Sequence, residues 1–175
     1  MTMGASVEFL DFEILDDSGL LGLVDVFAYS TFVSQDWEYE QLLDHFADQM
    51  SKRSILVWEC SDGGNNYRLR ITKQFSQTSG WREVTGSIAV TNNKLNIASY
   101  TALTMAAQFD DQILPGMGEQ DFKFPIKNGT YKVRIIQNYN PETVDYDNFQ
   151  EPHFILEIEE GQTEIWPEVA WENAR

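Results

Sequence analysis

The sequence predicts a mainly β protein, an antiparallel β-sandwich with one amphipathic helix near its N-terminal third. Short segments of alternating apolar and polar residues recur along the chain, and turn residues separate them. One segment, residues 36–50, instead places apolar residues at helical spacing. The 175 residues, 42% of them hydrophobic, can form one substantial core and require no second, so 1–175 is predicted to be a single β-sandwich domain.

The first two strands are predicted within the N-terminal 33 residues. Residues 7–14 alternate as VEFLDFEI and precede the turn residues DDSG. Residues 20–33 are mostly apolar and rich in β-forming residues, which predicts one long or bent strand. Gly22 would tolerate a bulge within it.

The helix follows, and its two sides differ sharply. One side is apolar: Tyr39, Leu42, Leu43, Phe46, Ala47 and Met50. The other side is polar: Glu38, Gln41, Asp44, His45 and Asp48. Asp36 fits the N-cap, because its carboxylate can accept hydrogen bonds from the free amides of the first turn. The helix is therefore expected to bury one side and to present a negative face.

Two hairpins are predicted in the middle of the chain. SILVWEC and YRLRIT flank SDGGNN, which has the glycines and asparagines that a tight connection needs. In the second of these strands, Tyr67, Leu69 and Ile71 face one way and the two arginines face the other. DFKFPI and TYKVRIIQ flank KNG, and Pro125 indicates an edge strand.

The remaining segments complete the predicted sandwich. REVTGSIAV and KLNIAS are strands on either side of the turn TNN, and residues 101–113 fit either a short helix or a loop. Residues 138–152 are a loop, and HFILEIEE and EIWPEVAW are the last two strands.

The formal charge of -16 is unevenly distributed. Residues 1–50, 51–135 and 136–175 sum to -11, +4 and -9. If the termini lie close together, both acidic ends would form one negative surface; the alternative is that the acids are scattered for solubility. Such a charge disfavours direct binding to nucleic acid or to anionic membranes.

Targeting signals and disulfides are not predicted. Cys60 is the single cysteine and lies in a strand-like segment, which indicates a half-buried, inert thiol in a reducing compartment. The N-terminus lacks a signal-peptide pattern, and no apolar run has transmembrane length. The expected location is the cytoplasm.

Catalytic motifs are missing from the sequence, so the protein is predicted not to be an enzyme and to need no cofactor. His45 and His153 are its two histidines, and neither a GxSxG motif nor a phosphate-binding loop occurs. An alternative is a metal-binding site or a metal-dependent enzyme in the loop, because four potential ligands lie within nine residues: Asp145, Asp147, Glu151 and His153. The spacing and the central glycine of an EF-hand are missing there.

Aromatic residues accompany the acids at both ends of the chain. Tyrosine and tryptophan are favoured anchors at protein interfaces, and surrounding carboxylates steer a basic partner. Trp37 lies off the apolar side of the helix and is the best anchor candidate, whereas Tyr39 belongs to the core by its position. A β-sandwich that binds carbohydrate or another small ligand through exposed tryptophans is a further alternative.

The order of these motifs resembles the bacterial competence protein J family. The likeness spans roughly residues 20–160 and rests on VSQDWEYEQLLDHFADQ, ILVWECSDGGNNYRLRIT, REVTGSIAVTNNKLNIASYTALTMAAQF and DFKFPIKNGTYKVRI. The resemblance implies a small acidic β-sandwich that inhibits a partner nuclease by binding it. The leading hypothesis is therefore an acidic module that binds a basic protein such as a nuclease or toxin.

Two acidic patches are candidates for contact with this partner. The first is on the helix, with Trp37 as the anchor and Glu38, Asp44 and Asp48 as the acids. The second is in the loop and comprises Asp145, Asp147 and Glu151. No catalytic or metal-binding residue is assigned.

Overall fold

Two sheets pack face to face, and helices cover the outer side of one of them. The computed structural model describes residues 9–60 and 64–172. In chain order the elements are β1 (Phe9–Asp16), β2 (Leu20–Val24), α1 (Tyr39–Ser51), β3 (Ile55–Glu59), β4 (Asn65–Thr72), β5 (Arg82–Val90), β6 (Lys94–Ser99), α2 (Tyr100–Gln108), β7 (Lys123–Pro125), β8 (Gly129–Gln137) and β9 (Phe154–Glu160). The mainly β, sandwich-like prediction is confirmed, with a second helix that the sequence left ambiguous.

The sheets have different strand orders and different surroundings. The five-stranded sheet has the order β1-β4-β9-β8-β5, and the four-stranded sheet has the order β3-β2-β6-β7. Strand neighbours are antiparallel except β4 and β9, which run parallel. Every residue of β2 and β3 is buried, because the larger sheet covers one face of the smaller sheet and the helices cover the other.

Aromatic contacts mark the core between the sheets. Trp58 of β3 meets Phe154 of β9 with ring centroids 5.9 Å apart. Phe12 of β1 meets Phe124 of β7 at 6.5 Å. In the larger sheet the inward residues of β4 are the predicted Tyr67, Leu69 and Ile71, all of which are buried. Pro125 lies in an edge strand, as predicted.

Both predicted hairpins are wrong in their strand pairing. β3 pairs with β2, whereas β4 pairs with β1 and β9. β7 pairs with β6, whereas β8 pairs with β5 and β9. The connections therefore pass from one sheet to the other. The local signal was sound, since Gly64 at φ 78° adopts the left-handed conformation that a turn needs, but a turn does not choose the partner of a strand.

The long strand predicted over residues 20–33 is also wrong, because β2 ends at Val24. The next residue, Asp25, is buried and folds the chain into a turn. Its carboxylate accepts hydrogen bonds from the backbone N–H of Phe27 at 3.1 Å and from the N–H and hydroxyl of Thr91 at 2.8 and 2.6 Å. This turn directs the chain away from the sheet and toward α1.

Helix α1 begins later than predicted, and its buried side differs in two residues. Glu38 is the N-cap instead of Asp36, and its N–H donates to Gln41 Oε1 at 2.9 Å. Tyr39 is 41% exposed, so its assignment to the core was wrong. Gln49 is buried instead, because its Oε1 accepts from Ser30 N and Ser54 Oγ, each at 3.0 Å.

Helix α2 resolves the ambiguous segment. Ser99 caps it by accepting from Ala102 N at 3.2 Å, and the carboxylate of Asp16 accepts from Tyr100 N at 3.0 Å. Four of its residues are buried against the small sheet: Ala102, Leu103, Ala106 and Ala107. Neither described helix is long and apolar enough to cross a membrane.

The last predicted strand, residues 164–171, is absent from the described sheets. This segment instead closes the side of the sandwich between β5 and β3. Trp166 Nε1 donates to Thr85 O at 2.8 Å, and a single bridge joins Ala170 to Trp58. Cys60 is fully buried, beyond the half-burial predicted, and burial raises the pKa of its thiol well above the ordinary value. The inert thiol is therefore consistent with its environment.

Candidate functional site

A groove of about 300 Å³ runs between α1 and the C-terminal segment. Its lining residues come from these two parts of the chain: Glu40, Leu43, Asp44, Ala47, Pro167, Glu168, Val169 and Glu172. The acidic ends of the chain thus share a surface at this groove. The sequence alone left open whether the two acidic ends of the chain lie close together.

The position of β3 explains this meeting. β3 is the edge strand of the four-stranded sheet, and α1 packs against it. The C-terminal segment runs along the free edge of β3, where Ala170 N donates to Val57 O and Glu59 N donates to Ala170 O, both at 3.0 Å. One strand therefore holds both walls of the groove.

The groove is lined by both carboxylates and apolar residues. Its four acids are Glu40, Asp44, Glu168 and Glu172. Val169 is buried, and Leu43 is half-buried and packs against the core. Among the described residues, no Lys or Arg lines the groove and none of these four acids has an ion-pair partner. The site therefore combines an uncompensated negative potential with apolar surface.

His45, on the same helix, adds no positive charge near neutral pH. It is half-buried, and its Nε2 lies 2.7 Å from Ser30 O, where it donates to this carbonyl. Burial lowers the pKa of the imidazole, so the ring is neutral at physiological pH. Its role is to hold the loop between β2 and α1 against the helix.

The structure separates the helix residues that the sequence grouped together. Asp44 lines the groove, whereas Glu38 is exposed at the N-cap. Asp48 is exposed and pairs with Lys52 at 3.2 Å. Trp37 is half-buried and packs against the core, and its indole nitrogen is buried with no hydrogen-bond acceptor in the described part of the chain. Its role as an exposed anchor remains a prediction.

Sequence reasoning missed three of the four groove acids. Glu40 lies one helical turn before Asp44, so their i, i+4 spacing could have placed both on one face. Glu168 and Glu172 have the same spacing, but Glu168 lies in an irregular segment that was predicted as a strand, and Glu172 follows that segment. The acidic excess at both ends of the chain was the signal for this site.

The second predicted patch lies apart from the groove. None of Asp145, Asp147 and Glu151 lines it. The carboxylate of Asp145 accepts from Asp147 N at 3.1 Å and from Asn148 Nδ2 at 2.6 Å, which stabilises a local turn. Arg68 of β4 fastens this loop by donating to the carbonyl oxygens of Phe149 and, at 2.9 Å, Glu151. The guanidinium of Arg68 therefore places a positive charge next to this loop.

The geometry gives the metal-site alternative no support. His153 is 1% exposed, and its Nδ1 accepts from Arg68 N at 3.0 Å. It lies among aromatic rings, with Phe149 at 5.0 Å and Tyr67 at 5.4 Å between centroids. Across residues 9–60 and 64–172, no three His, Cys, Asp or Glu side chains are placed to hold a metal ion. The loop acids and His153 are not brought together.

Exposed tryptophans are scarce, which weakens the carbohydrate alternative. Trp58 and Trp166 are buried, and Trp37 and Trp171 are partly buried. Trp81 is 47% exposed, and Arg82 lies over its ring at 5.1 Å. A single exposed ring does not make the stacking platform that this alternative needs.

Comparison with known proteins gives a relationship in fold. No family model and no curated protein matches the sequence. A solved structure described as crocagin biosynthetic gene J matches with a TM-score of 0.63 and 11% identity, over 90% of this chain and 99% of that chain. ComJ from Bacillus subtilis, described as an inhibitor of the DNA degrading activity of NucA, matches with a TM-score of 0.54 and 14% identity, over 90% of this chain and 100% of that chain.

This chain has a ComJ-like fold. The resemblance read from the sequence is thus supported at the level of the fold. At 14% identity, the likeness to ComJ establishes the architecture, while the function has to be argued from the residues of this chain.

Proposed function

We propose that this protein is a binding module that inhibits a basic protein partner, most specifically a nuclease or a toxin of similar surface charge, and that it is not an enzyme. The groove between α1 and residues 167–172 is the observation that carries the proposal. The ComJ-like fold supports it, because ComJ itself is described as an inhibitor of a DNA-degrading protein. The proposed location is the cytoplasm.

Electrostatics gives the inhibitor a mechanism. A nuclease presents a positive surface to the phosphates of DNA, and a row of carboxylates can occupy the same surface. Glu40 and Asp44 project from one wall of the groove, and Glu168 and Glu172 from the other. Complementary charge accelerates the encounter and makes it sensitive to salt.

The apolar lining residues of the groove would make close contact with the partner in the proposed complex. Charge at an exposed rim mainly sets the association rate, whereas apolar contacts in a desolvated centre slow dissociation. Leu43 and Ala47, both half-buried residues of α1 that line the groove, would supply those apolar contacts. The basic side chain of the partner would lay its aliphatic part on Leu43 and place its charge against the carboxylates.

The predicted residues outside the groove have supporting roles in this proposal. Glu38 extends the negative field of α1, Asp48 is paired with Lys52 at the other end of the helix, and Trp37 supports the start of the helix from its half-buried position. Asp145, Asp147 and Glu151 form a separate patch, which would contact only a partner large enough to span both regions. Their substitution is therefore expected to affect binding less than substitution in the groove.

The experiment uses three baits: the natural chain, a groove variant with Asp44→Asn, Glu168→Gln and Glu172→Gln, and a control with Asp110→Asn, Glu142→Gln and Glu164→Gln. Both variants lose three charges, and the control residues are exposed and outside the groove. Each bait captures proteins from the source cell lysate, and eluted proteins are identified and assayed for DNA degradation.

We expect the natural chain and the control to retain a basic nuclease or toxin from the lysate, and the groove variant not to retain it. Adding the natural chain back should inhibit the activity of that partner. Equal retention by all three baits would contradict a role for the groove. Empty columns with folded baits would contradict the function itself.

A further inference from the structure

The four strand edges of the two sheets are unequally protected. In the small sheet, the free edge of β3 is occupied by Ala170, and β7 is three residues long and includes Pro125. In the large sheet, the C-terminal segment covers β5, where Thr163 N donates to Ser87 Oγ at 2.5 Å and Trp166 donates to Thr85 O. Short edges, prolines and covering segments are devices that prevent pairing with other chains.

β1, the fourth edge, has none of these devices within the part of the chain that the structure describes. It is eight residues long, and within residues 9–60 and 64–172 it pairs along its length with β4 alone. Three of its apolar side chains are exposed: Phe9 by 52%, Leu10 by 42% and Leu15 by 57%. In an edge strand, alternate backbone N–H and C=O groups point away from the sheet. As far as the described residues go, β1 therefore offers an unpaired row of donors and acceptors beside exposed apolar surface.

An open groove of about 530 Å³ borders this edge. Leu15 lies on one side of it, and Met117, which is 98% exposed, lies on the other. Three carboxylates also line it: Glu13, Asp17 and Glu119. Of the described residues that line it, none is Lys or Arg. A chain lying along the C-terminal half of β1 would thus meet both apolar and negative surface.

The side chains on the outward face of β1 follow a simple pattern. Its residues read apolar, acidic, acidic and apolar: Phe9, Asp11, Glu13 and Leu15. Asp11 binds Arg70 through two hydrogen bonds, of 2.8 and 3.0 Å. Glu13 lies opposite Arg68 in register, but that guanidinium is engaged by the loop carbonyls, and Glu13 forms no ion pair with the described residues. Glu13 is therefore open to a cation from outside.

We propose that β1 accepts a strand from a basic partner polypeptide, which extends the five-stranded sheet. The accepted strand carries apolar, basic, basic and apolar side chains at alternate positions, opposite those of β1. A second copy of this chain fits poorly, because pairing β1 with itself would bring Asp11 and Glu13 of both copies together under a formal charge of -16 each. The site is distinct from the groove beside α1 and does not depend on the function proposed for that groove.

The probe is the peptide Val-Thr-Lys-Val-Lys-Thr-Val, which presents the required pattern in either chain direction. Its control is the same peptide with every backbone nitrogen methylated, which keeps the charge and side chains but cannot form a ladder. Titration by calorimetry gives the affinity for the full-length chain, and amide hydrogen exchange locates the binding site. Two protein variants complete the design: Leu15→Lys in β1, and Glu164→Lys as an exposed control far from the edge.

The proposal expects methylation to weaken binding by at least about tenfold, because the backbone ladder supplies the affinity. Added protection should appear at the amides of residues 9–16. Leu15→Lys should weaken binding at least about fivefold more than Glu164→Lys, although both add positive charge. No binding, equal affinity for the two peptides, or protection outside β1 would overturn the proposal. A dimer of this chain that forms through β1 would overturn the choice of partner.

Discussion

Three acidic side chains on the outer face of the five-stranded sheet pair with bases, whereas the four acids of the groove beside helix α1 pair with no base among the described residues. On the sheet, register places acids opposite bases: Asp11 faces Arg70, Glu157 faces Arg134, and Glu159 faces Lys132. All three pairs are close enough to form ion pairs. Near α1, residues 9–51 contain no Lys or Arg. The net charge of a surface thus depends on whether its acids are paired with bases, and not on the number of acids alone.

This contrast assigns different tasks to the two regions. Paired charges between strands cost little solubility and help to fix register. The acids around the groove repel one another, and nothing in the described structure offsets that repulsion. Acidic side chains that repel one another at a concave surface, at a cost in stability, are typical of a binding site. We therefore expect substitutions on the sheet to lower stability and substitutions in the groove to lower binding.

The largest effect on stability is expected for Arg134→Met. Arg134 pairs with Glu157 at 2.8 Å, also pairs with Glu83, and donates to Ser76 O at 3.2 Å. Glu157 is 3% exposed, so losing the arginine leaves a buried charge without its cation. Such a loss costs about 3 kcal/mol or more. The urea midpoint should fall accordingly.

Lys52→Met is the matched control on the helix side. Lys52 pairs with Asp48, but both side chains are more than half exposed, at 62% and 58%. Exposed pairs of this kind contribute at most about 0.5 kcal/mol. Equal destabilisation by both substitutions would contradict the distinction between the two regions.

His153→Phe should make stability less sensitive to acid. Burial, aided by the charge of Arg68, lowers the pKa of His153 to about 4 in the folded chain. The imidazole of the unfolded chain binds a proton below about pH 6.5. The stability linked to His153 is therefore complete above pH 6.5 and decreases as the pH falls toward 4.

The measurement is the difference in unfolding free energy between His153→Phe and the natural chain at pH 8 and pH 5. Between these two pH values the variant should gain about 2 kcal/mol relative to the natural chain. Asp16, whose pKa is raised to about 6 mainly by burial, contributes equally to both chains and cancels. A difference that does not change with pH would show that His153 titrates normally.

The smallest effects should have opposite signs in the two regions. Asp11→Asn removes the charge that pairs with Arg70 and one of the two acceptors, in a half-exposed pair, and should destabilise the chain by about 0.5 kcal/mol. Asp44→Asn relieves repulsion from Glu40 one turn away and should stabilise it by about 0.3 kcal/mol. Paired urea titrations at low salt test both, and two changes of the same sign would argue against the comparison.

The sequence predicts where the strands lie better than it predicts which strands pair with each other. Alternation placed β4, β5, β8 and β9 well, because one face of each strand meets the core. The pairing of β4 with β9 is parallel and joins residues more than 80 positions apart, and no turn residue encodes that choice. Pro167 and the irregular backbone around it likewise hid the role of the C-terminal segment.

The candidate site was predicted only as far as its charge and one of its residues. Asp44 was identified from the helix, but Glu168 and Glu172 needed the tertiary structure, because the C-terminal segment reaches α1 only by running along β3. Trp37 packs partly against the core, and its role as an anchor stays a prediction. A helical wheel gives the orientation of a residue and not which neighbouring segment covers it.

The most direct test of the central claim is the association rate of the captured partner with the natural chain, the groove variant and the charge-matched control, measured at increasing salt. The account predicts that the groove variant associates at least about tenfold more slowly at low salt, that the control stays close to the natural chain, and that the differences shrink as salt rises. Equal rates for the groove variant and the control would contradict it, because any loss would then follow net charge and not the surface between α1 and residues 167–172.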